Sequence, residues 1–205
     1  KLFKTLQTSE RWGSEVGLET VGDLNDRICN ASFSELILVQ EAEQERKIGE
    51  IAKDIVARGN VKFIMIAGPS SSGKTSFSHR LSIQLRTLGK NPHPIALDNY
   101  FVNRDKTPRD ENGDYDYETI DALDIKTFNE NLTALFAGQT VDIPRYDFLT
   151  GRRQWHDKPL TLAHNSVLVV EGIHGLNPRL TADISEHYKF KIYLSCFTSI
   201  SMDNL

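Results

Sequence analysis

The chain has 205 residues, 39% hydrophobic and 25% charged, which suits one soluble folded domain with a short addition. Its formal net charge of -4 argues against a broad nucleic-acid-binding surface, and its two distant cysteines argue against a disulfide framework or metal motif. No apolar run approaches the roughly 20 residues of a membrane helix, and no secretory signal pattern opens the chain. We therefore expect a cytoplasmic protein.

Residues 1–60 are expected to form a separate, mainly helical segment. Ser32 and Glu35 predict a capping box at a helix start, and Gly59 is placed to end a helix. Apolar residues at helical spacing predict a helix with one face packed on the next domain: Ile48, Ile51, Ala52, Ile55 and Val56. The chain starts at Lys1 and stops just past an apparent strand, so we expect a piece of a longer protein.

The next stretch has the pattern of a phosphate-binding loop. An apolar run at 61–67 predicts a strand, residues 68–76 match G-x-x-x-x-G-K-[ST], and apolar residues at helical spacing follow. Such a loop aims backbone N–H groups and a helix N-terminus at a polyphosphate, which predicts binding of ATP or GTP with magnesium. The residues predicted to bind nucleotide are Gly68, Ser70, Ser71, Ser72, Gly73, Lys74, Thr75 and Ser76.

Particular side chains in this loop have distinct expected roles. Gly68 and Gly73 allow a close phosphate approach, Lys74 would contact the β- and γ-phosphates, and Thr75 would ligate Mg²⁺. The alternative is a serine-rich turn with no ligand.

Beyond the loop, predicted strands and helices alternate. Gly89 is expected to end the first helix, Pro92 and Pro94 to break the chain, and residues 95–97 to form a short strand. Asp124 predicts a helix start and Gly138 its end. Further strands are predicted within 140–163, at 167–170 and, after a short helix, at 188–195. Strands separated by helices predict a parallel sheet with helices on both faces.

Two carboxylates follow predicted strands. Asp98 could accept a proton from an attacking hydroxyl, or it could only cap a turn. Glu171 could hold magnesium, or it could face solvent at a strand end. We expect the second strand to lie beside the first, which would bring Asp98 close to the phosphate loop.

Four motifs occur in order: residues 68–75, 97–101 (LDNYF), 143–148 (IPRYDF) and 170–173 (VEGI). Over roughly residues 61–195, the chain resembles the uridine kinase and phosphoribulokinase group of P-loop kinases. The resemblance implies a P-loop NTPase fold, a three-layer αβα arrangement with a mostly parallel sheet.

The resemblance also implies roles for individual residues. It makes Asp98 and Lys74 catalytic, and it makes Thr75 and Glu171 the magnesium ligands. The substrate-binding positions that it implies are Phe101, Tyr117, Glu118, Tyr146 and Arg153. Gly151 stands where uridine kinases have a base-reading histidine, which leaves the choice of pyrimidine open. The family's arginine-bearing lid would follow the strand at 188–195, so domain 61–205 is expected to be truncated before it.

A second resemblance concerns residues 1–60. Trp12-Gly13, residues 21–25 and the charged helix resemble the segment that joins a threonyl-tRNA-synthetase-like module to a uridine-kinase-like domain. This resemblance implies that residues 1–60 are the tail of an upstream binding module.

The favoured hypothesis is a kinase that moves the ATP γ-phosphate to a hydroxyl of a small molecule, most simply a nucleoside such as uridine or cytidine. One alternative is another acceptor: a sugar, a polyol, pantothenate or ribulose phosphate, for which Arg152 and Arg153 would suit a phosphate. Another is a nucleotide-hydrolysing regulatory or RNA-associated module. The kinase hypothesis expects no membrane or nucleic-acid partner, and the family resemblance is compatible with a homo-oligomer.

Overall fold

The computed structural model describes residues 2–182, 184–196 and 200–202, with side chains from residue 7 onward except those of 156–158. The α-helices are α1 (Leu2–Val16), α2 (Val21–Cys29), α3 (Phe33–Ala57), α4 (Lys74–Thr87) and α5 (Ile125–Phe136). The strands are β1 (Phe63–Ala67), β2 (Asn91–Ala96), β3 (Val141–Asp147), β4 (Arg152–Leu160), β5 (Ser166–Glu171) and β6 (Lys189–Tyr193).

The chain divides into two compact units, residues 1–47 with 196–205 and residues 48–195. This division differs from the predicted boundary after residue 60, because Ile48, Ala52 and Ile55 of α3 belong to the core of the second unit. The proposal that the N-terminal residues are the tail of an upstream module is independent of this boundary and stays a prediction.

Helix α2 in the first unit has the capping box. The Thr20 hydroxyl accepts from the Asp23 N–H while the Asp23 carboxylate accepts from the Thr20 N–H. The helix start predicted at Ser32 is confirmed, because α3 begins at Phe33, and the Ser32 hydroxyl donates to the Arg27 carbonyl. Ser201 forms a parallel bridge with Thr20 in the same unit.

The second unit is built on a parallel sheet with the strand order β2-β5-β1-β6. A separate antiparallel pair joins β3 and β4. The predicted α/β class with a mostly parallel sheet is confirmed. The expectation that β2 lies beside β1 is wrong, because β5 lies between them.

The two faces of the sheet carry different helices. On β1, Ile64 and Ile66 join a core with residues of α3 and α4, whereas Phe63 and Met65 join a core with α5. Alternate residues of a strand point to opposite faces, so a run of five buried residues is what a sheet covered on both sides requires. The predicted three layers follow from this.

Strand β2 is longer than expected, because Pro92 and Pro94 lie inside it rather than breaking the chain. The strand is at an edge of the sheet, and its Asn91 N–H donates toward β5, to the Asn165 carbonyl. Backbone N–H directions alternate, so the nitrogens of both prolines face the open edge, where no ladder bond is lost.

Other predicted boundaries agree with the structure. Asp124 caps α5 by accepting from the Thr127 N–H, and Gly89 and Gly138 follow their helices with φ of 78° and 76°. The short helix expected between β5 and β6 is replaced, in the described residues, by 3-10 turns at Pro178–Leu180 and Glu186–Tyr188. In the described part of the chain, none of the helices combines the length and apolarity needed to cross a bilayer.

Candidate active site

The loop between β1 and α4 has the backbone that the phosphate-binding pattern predicts. Gly73 precedes α4 with φ of 80°, and Ser71 also has a positive φ, of 59°. A Cβ on Gly68 would lie 2.6 Å from the Leu194 carbonyl oxygen, so this position has room for glycine alone. The loop therefore packs closely on the chain after β6 while its other side opens to solvent.

The side chains of this loop leave polar groups available to a ligand. Ser70, Ser71, Thr75 and Ser76 are exposed, and the Lys74 ammonium donates to the Pro69 carbonyl at 2.7 Å. The Ser72 hydroxyl oxygen is buried without a hydrogen-bond partner among the described residues. Unpaired buried polar atoms are costly, and an oxyanion in the loop would give this hydroxyl an acceptor.

Two carboxylates lie at the tips of neighbouring strands. Glu171 is the last residue of β5, Ala96 beside it is the last residue of β2, and Asp98 follows two residues later. Glu171 also pairs in register with Ile66 of β1, which leads into the loop. Asp98 therefore reaches the site from beyond Glu171, rather than from directly beside β1.

Charge and burial tie these groups into one site. Burial raises the pKa of the Asp98 carboxyl, against the opposing effect of Lys74 and then His174. Burial also raises the pKa of Glu171, which the Asp98 charge raises further and the Thr75 hydroxyl and Lys74 lower. The Thr75 hydroxyl donates to Glu171 Oε1 at 2.9 Å.

These oxygen atoms fit a hard divalent cation. A hydroxyl and a buried carboxylate in contact are ligands of the kind that Mg²⁺ takes, and burial makes the uncompensated carboxylate costly. In the described residues, no group of three or more His, Cys, Asp or Glu side chains could hold a metal. Mg²⁺ here would depend on phosphate oxygens and water for its remaining ligands.

An aromatic cluster lies on the chain that follows Asp98. We use this name for Phe101, Tyr117, Tyr146 and Phe148, whose rings meet edge to face. The centroid of Phe101 lies 5.2 Å from that of Tyr117 and 5.6 Å from that of Tyr146, and Phe148 lies 5.0 Å from Tyr146. The structure thus brings together three of the predicted substrate-binding residues, and Glu118 follows Tyr117 with its side chain exposed.

The hydroxyls of the cluster interact. The Tyr117 and Tyr146 hydroxyl oxygens are 3.4 Å apart, and Tyr146 is buried with 3% of its surface exposed. Burial, together with the hydrogen bond to Tyr117, raises the pKa of Tyr146 to about 12. The Tyr146 hydroxyl is therefore a neutral hydrogen-bonding group at physiological pH. Burial also acts to raise the pKa of Tyr117, but the hydrogen bonds to Tyr146 and Arg104 outweigh burial and lower it.

Arg153 has a structural partner that the sequence did not reveal. Its Nη2 donates to Asp124 Oδ2 at 2.8 Å, joining β4 to the capping residue of α5. Its Nη1 is buried without a partner among the described residues, so one end of the guanidinium remains available. Its substrate-binding role stays a prediction.

Sequence reasoning missed two residues near the site. Arg104 donates through Nε to the Tyr117 hydroxyl at 3.4 Å and through Nη2 to the Phe148 carbonyl. His174 lies close enough to affect the pKa of Asp98, and its Nε2 is buried without a described partner. No local signal pointed to Arg104, because the glycine on which it packs, Gly151, lies in a different loop.

Comparison with known proteins shows the family to which the chain is similar. Residues 63–203 match the model of the phosphoribulokinase / uridine kinase family. The uridine kinase of Schizosaccharomyces pombe is 37% identical over 120 residues, 57% of this chain and 25% of that protein. The uridine kinase of Macrococcus caseolyticus is 33% identical over 131 residues, 64% of this chain and 60% of that protein.

A solved structure shares the fold. It is described as a possible uridine kinase from Bacillus stearothermophilus, with a TM-score of 0.60 and 24% identity, over 75% of this chain and 82% of that one. The chain spans less than two thirds of the length of the two curated relatives. The family model covers most of this chain. The chain belongs to the phosphoribulokinase and uridine kinase family.

Proposed function

We propose that the protein containing this chain transfers the γ-phosphoryl group of ATP to a hydroxyl of a nucleoside, uridine or cytidine. One observation carries the proposal. The phosphate loop, Asp98 and Glu171 lie at one edge of one parallel sheet, and Lys74 affects the pKa of both acids. Kinase relatives named as uridine kinases support the nucleoside as acceptor.

The phosphate side of the proposed reaction uses the loop. Backbone N–H groups of residues 70–76 and the N-terminus of α4 bind the triphosphate, and Lys74 leaves the Pro69 carbonyl to contact the β- and γ-phosphates. Thr75 and Glu171 hold the magnesium ion, which supplies charge neutralisation for the transferring group. The close pair of these two side chains is the observation behind this assignment.

The acceptor side of the proposed reaction positions the hydroxyl that attacks the γ-phosphorus. Asp98 accepts the proton of the acceptor hydroxyl. At the same time the hydroxyl oxygen forms a bond to the γ-phosphorus, and the bond between the γ-phosphorus and the bridging oxygen breaks, releasing ADP. A carboxyl whose pKa is raised by burial is a better proton acceptor than an ordinary aspartate. Phe101, Tyr117 and Tyr146 form an aromatic wall against which a nucleobase would pack.

The decisive experiment is Asp98→Asn in the full-length protein. Phosphoryl transfer to uridine and cytidine should fall about 100- to 10,000-fold, because the proton acceptor is lost while the loop is untouched. ATP affinity, measured with a fluorescent ATP analogue, should stay within about threefold of wild type.

The matched control is Asp105→Asn, an exposed aspartate in the turn that follows. It should leave transfer unchanged. Acceptor-independent ATP hydrolysis that Asp98→Asn does not alter would contradict the proposal and favour a nucleotide-hydrolysing module. If the protein phosphorylated a sugar, a polyol, pantothenate or ribulose phosphate but neither nucleoside, the kinase activity would stand and the proposed acceptor would be wrong.

A further inference from the structure

Arg104 lies against the aromatic cluster. Its backbone N–H donates to the Gly151 carbonyl at 2.8 Å, which fixes the loop after β2 to the turn between β3 and β4. Its Nε and Nη2 point to the Tyr117 hydroxyl and the Phe148 carbonyl. The guanidinium therefore touches two members of the cluster at the part of the site that the proposed function gives to the acceptor.

Gly151 makes room for this guanidinium. A Cβ at position 151 would lie 2.6 Å from Nε, 2.7 Å from Cβ and 2.8 Å from Cζ of Arg104. Gly151 also has φ of 66°, a conformation that side chains other than glycine rarely adopt. The placement of Arg104 thus depends on the absence of a side chain far along the sequence.

The chemistry of the group limits what it can recognise. A guanidinium has five N–H donors and no acceptor, and it stays charged at any physiological pH. The two contacts above use only some of these donors. Whatever polar group of the acceptor meets Arg104 must therefore accept hydrogen bonds.

We propose that Arg104 is a specificity-determining residue that faces position 4 of a pyrimidine acceptor, where it selects a carbonyl oxygen over an amine and so favours uridine over cytidine. The inference rests on the proposed nucleoside kinase function. The two pyrimidines share the carbonyl at position 2 and differ at position 4, a carbonyl acceptor in uracil and an amine donor in cytosine, and at ring nitrogen 3, a donor in uracil and an acceptor in cytosine. An amine facing the guanidinium would place donor against donor and leave both without a partner.

The experiment measures affinities of uridine and cytidine by calorimetry, and kcat/KM for both, in the full-length protein. Wild type should bind uridine about 10- to 100-fold more tightly than cytidine. Arg104→Met keeps an apolar side chain of similar length without donors, so the uridine affinity should fall until the two nucleosides bind alike. Arg104→Gln adds an amide oxygen that can accept from the cytosine amine, so its cytidine affinity should exceed that of Arg104→Met.

Gly151→Ala tests the same feature without removing the charge. The added methyl group displaces the guanidinium, so this variant should lose the preference for uridine, and the double variant with Arg104→Met should lose no more. Arg145→Met is the matched control, because Arg145 is an exposed arginine on β3. It should keep the wild-type preference.

The outcomes separate this inference from the proposed function. An equal loss of affinity for both nucleosides in Arg104→Met would overturn the inference. Arg104 would then have only a structural role, holding the loop after β2 against the β3–β4 turn. A wild type that prefers cytidine, or binds neither nucleoside, would also overturn it. A preference for uridine that depends on Arg104, without phosphoryl transfer to any acceptor, would support the inference and contradict the kinase proposal.

Discussion

The loop between β1 and α4 carries its ligand groups on one continuous stretch, whereas the aromatic cluster collects side chains from three separate segments. The loop's geometry comes from local backbone conformations, such as the positive φ of Gly73. The cluster depends on tertiary packing of Phe101, Tyr117 and the end of β3. The phosphate side can thus remain fixed while the acceptor side changes, because substitutions in the cluster leave the loop intact.

After Asp98→Asn, the next largest effect is expected from a change to the phosphate side alone. Thr75→Ala removes the hydroxyl that contacts Glu171, so the magnesium ion of the proposed site would lose one ligand. Turnover at saturating ATP and acceptor should fall about 100-fold or more, and half-maximal activity should need more magnesium. A magnesium titration of the transfer rate measures both effects.

Thr87→Ala at the far end of α4 is the control, since its hydroxyl donates to the Gln84 carbonyl of the same helix. It should leave the titration unchanged. If Thr75→Ala kept the wild-type magnesium dependence, the hydroxyl would not be a metal ligand, and the phosphate side would need another description.

A smaller effect is expected on the acceptor side. Tyr117→Leu removes a ring that contacts Phe101 and a hydroxyl that meets both Tyr146 and Arg104. The acceptor KM should rise about tenfold while the KM for ATP stays constant, because the two sides are built from different segments. Initial rates at varied acceptor and varied ATP measure the two constants.

Tyr115→Leu, at an exposed tyrosine of the same loop, should leave both constants near wild type. A parallel rise of both KM values in Tyr117→Leu would show that the two sides are not independent. That result would remove the contrast between a locally encoded phosphate side and a packed acceptor side.

The same contrast explains what the sequence could predict. The phosphate loop, Asp98 and Glu171 were predictable, because a short motif fixes the loop and strand ends place the acids. The strand order was not, since nothing local in β2 tells whether β1 or β5 is its neighbour. Strand β2 itself was underestimated because prolines are tolerated only where an edge makes their missing N–H harmless.

The acceptor side was predictable only through resemblance. The resemblance predicted that Phe101, Tyr117 and Tyr146 share one site, and the structure packs their rings together. The packing of Arg104 on Gly151 joins two loops distant in sequence. The ion pair of Arg153 was equally unpredictable, since its partner Asp124 caps a helix that no motif connects to β4. Such contacts depend on tertiary structure, which no local periodicity encodes.

A pH profile tests the link between the two sides. Burial raises the pKa of Asp98, and the proposed reaction needs its carboxylate, so kcat/KM should fall as pH decreases through this raised pKa. His174 opposes the effect of burial, so His174→Gln should move the acid limb to slightly higher pH. Rates from about pH 4.5 to 8 measure the limb, which Asp98→Asn should lack. A limb that persists in Asp98→Asn would belong to another group.

The smallest expected effect is a change in thermal stability. The experiment compares a substitution of Glu171 with one of Glu186, an acid outside the site. The folded state raises the pKa of Glu171, chiefly through burial, so it binds more protons than the unfolded state between the two pKa values. Stability therefore falls as pH rises through that window and stays reduced at neutral pH. Without magnesium, Glu171→Gln should raise the Tm by about 1–3 °C, because the amide can still accept from Thr75 and carries no charge to bury.

The charge of Glu186 has the opposite effect on stability: it stabilises the folded state. Hydrogen bonds from Lys189 and Lys191 lower its pKa to about 2, so its contribution is present above the unfolded pKa and is lost as pH falls through the folded one. Glu186→Gln should thus lower the Tm slightly at neutral pH. Thermal unfolding in EDTA measures the Tm of both variants and of the wild type. A fall in Tm for Glu171→Gln as well would mean that its carboxylate stabilises the empty site, and the site would not hold the destabilising charge that makes it ready for a cation.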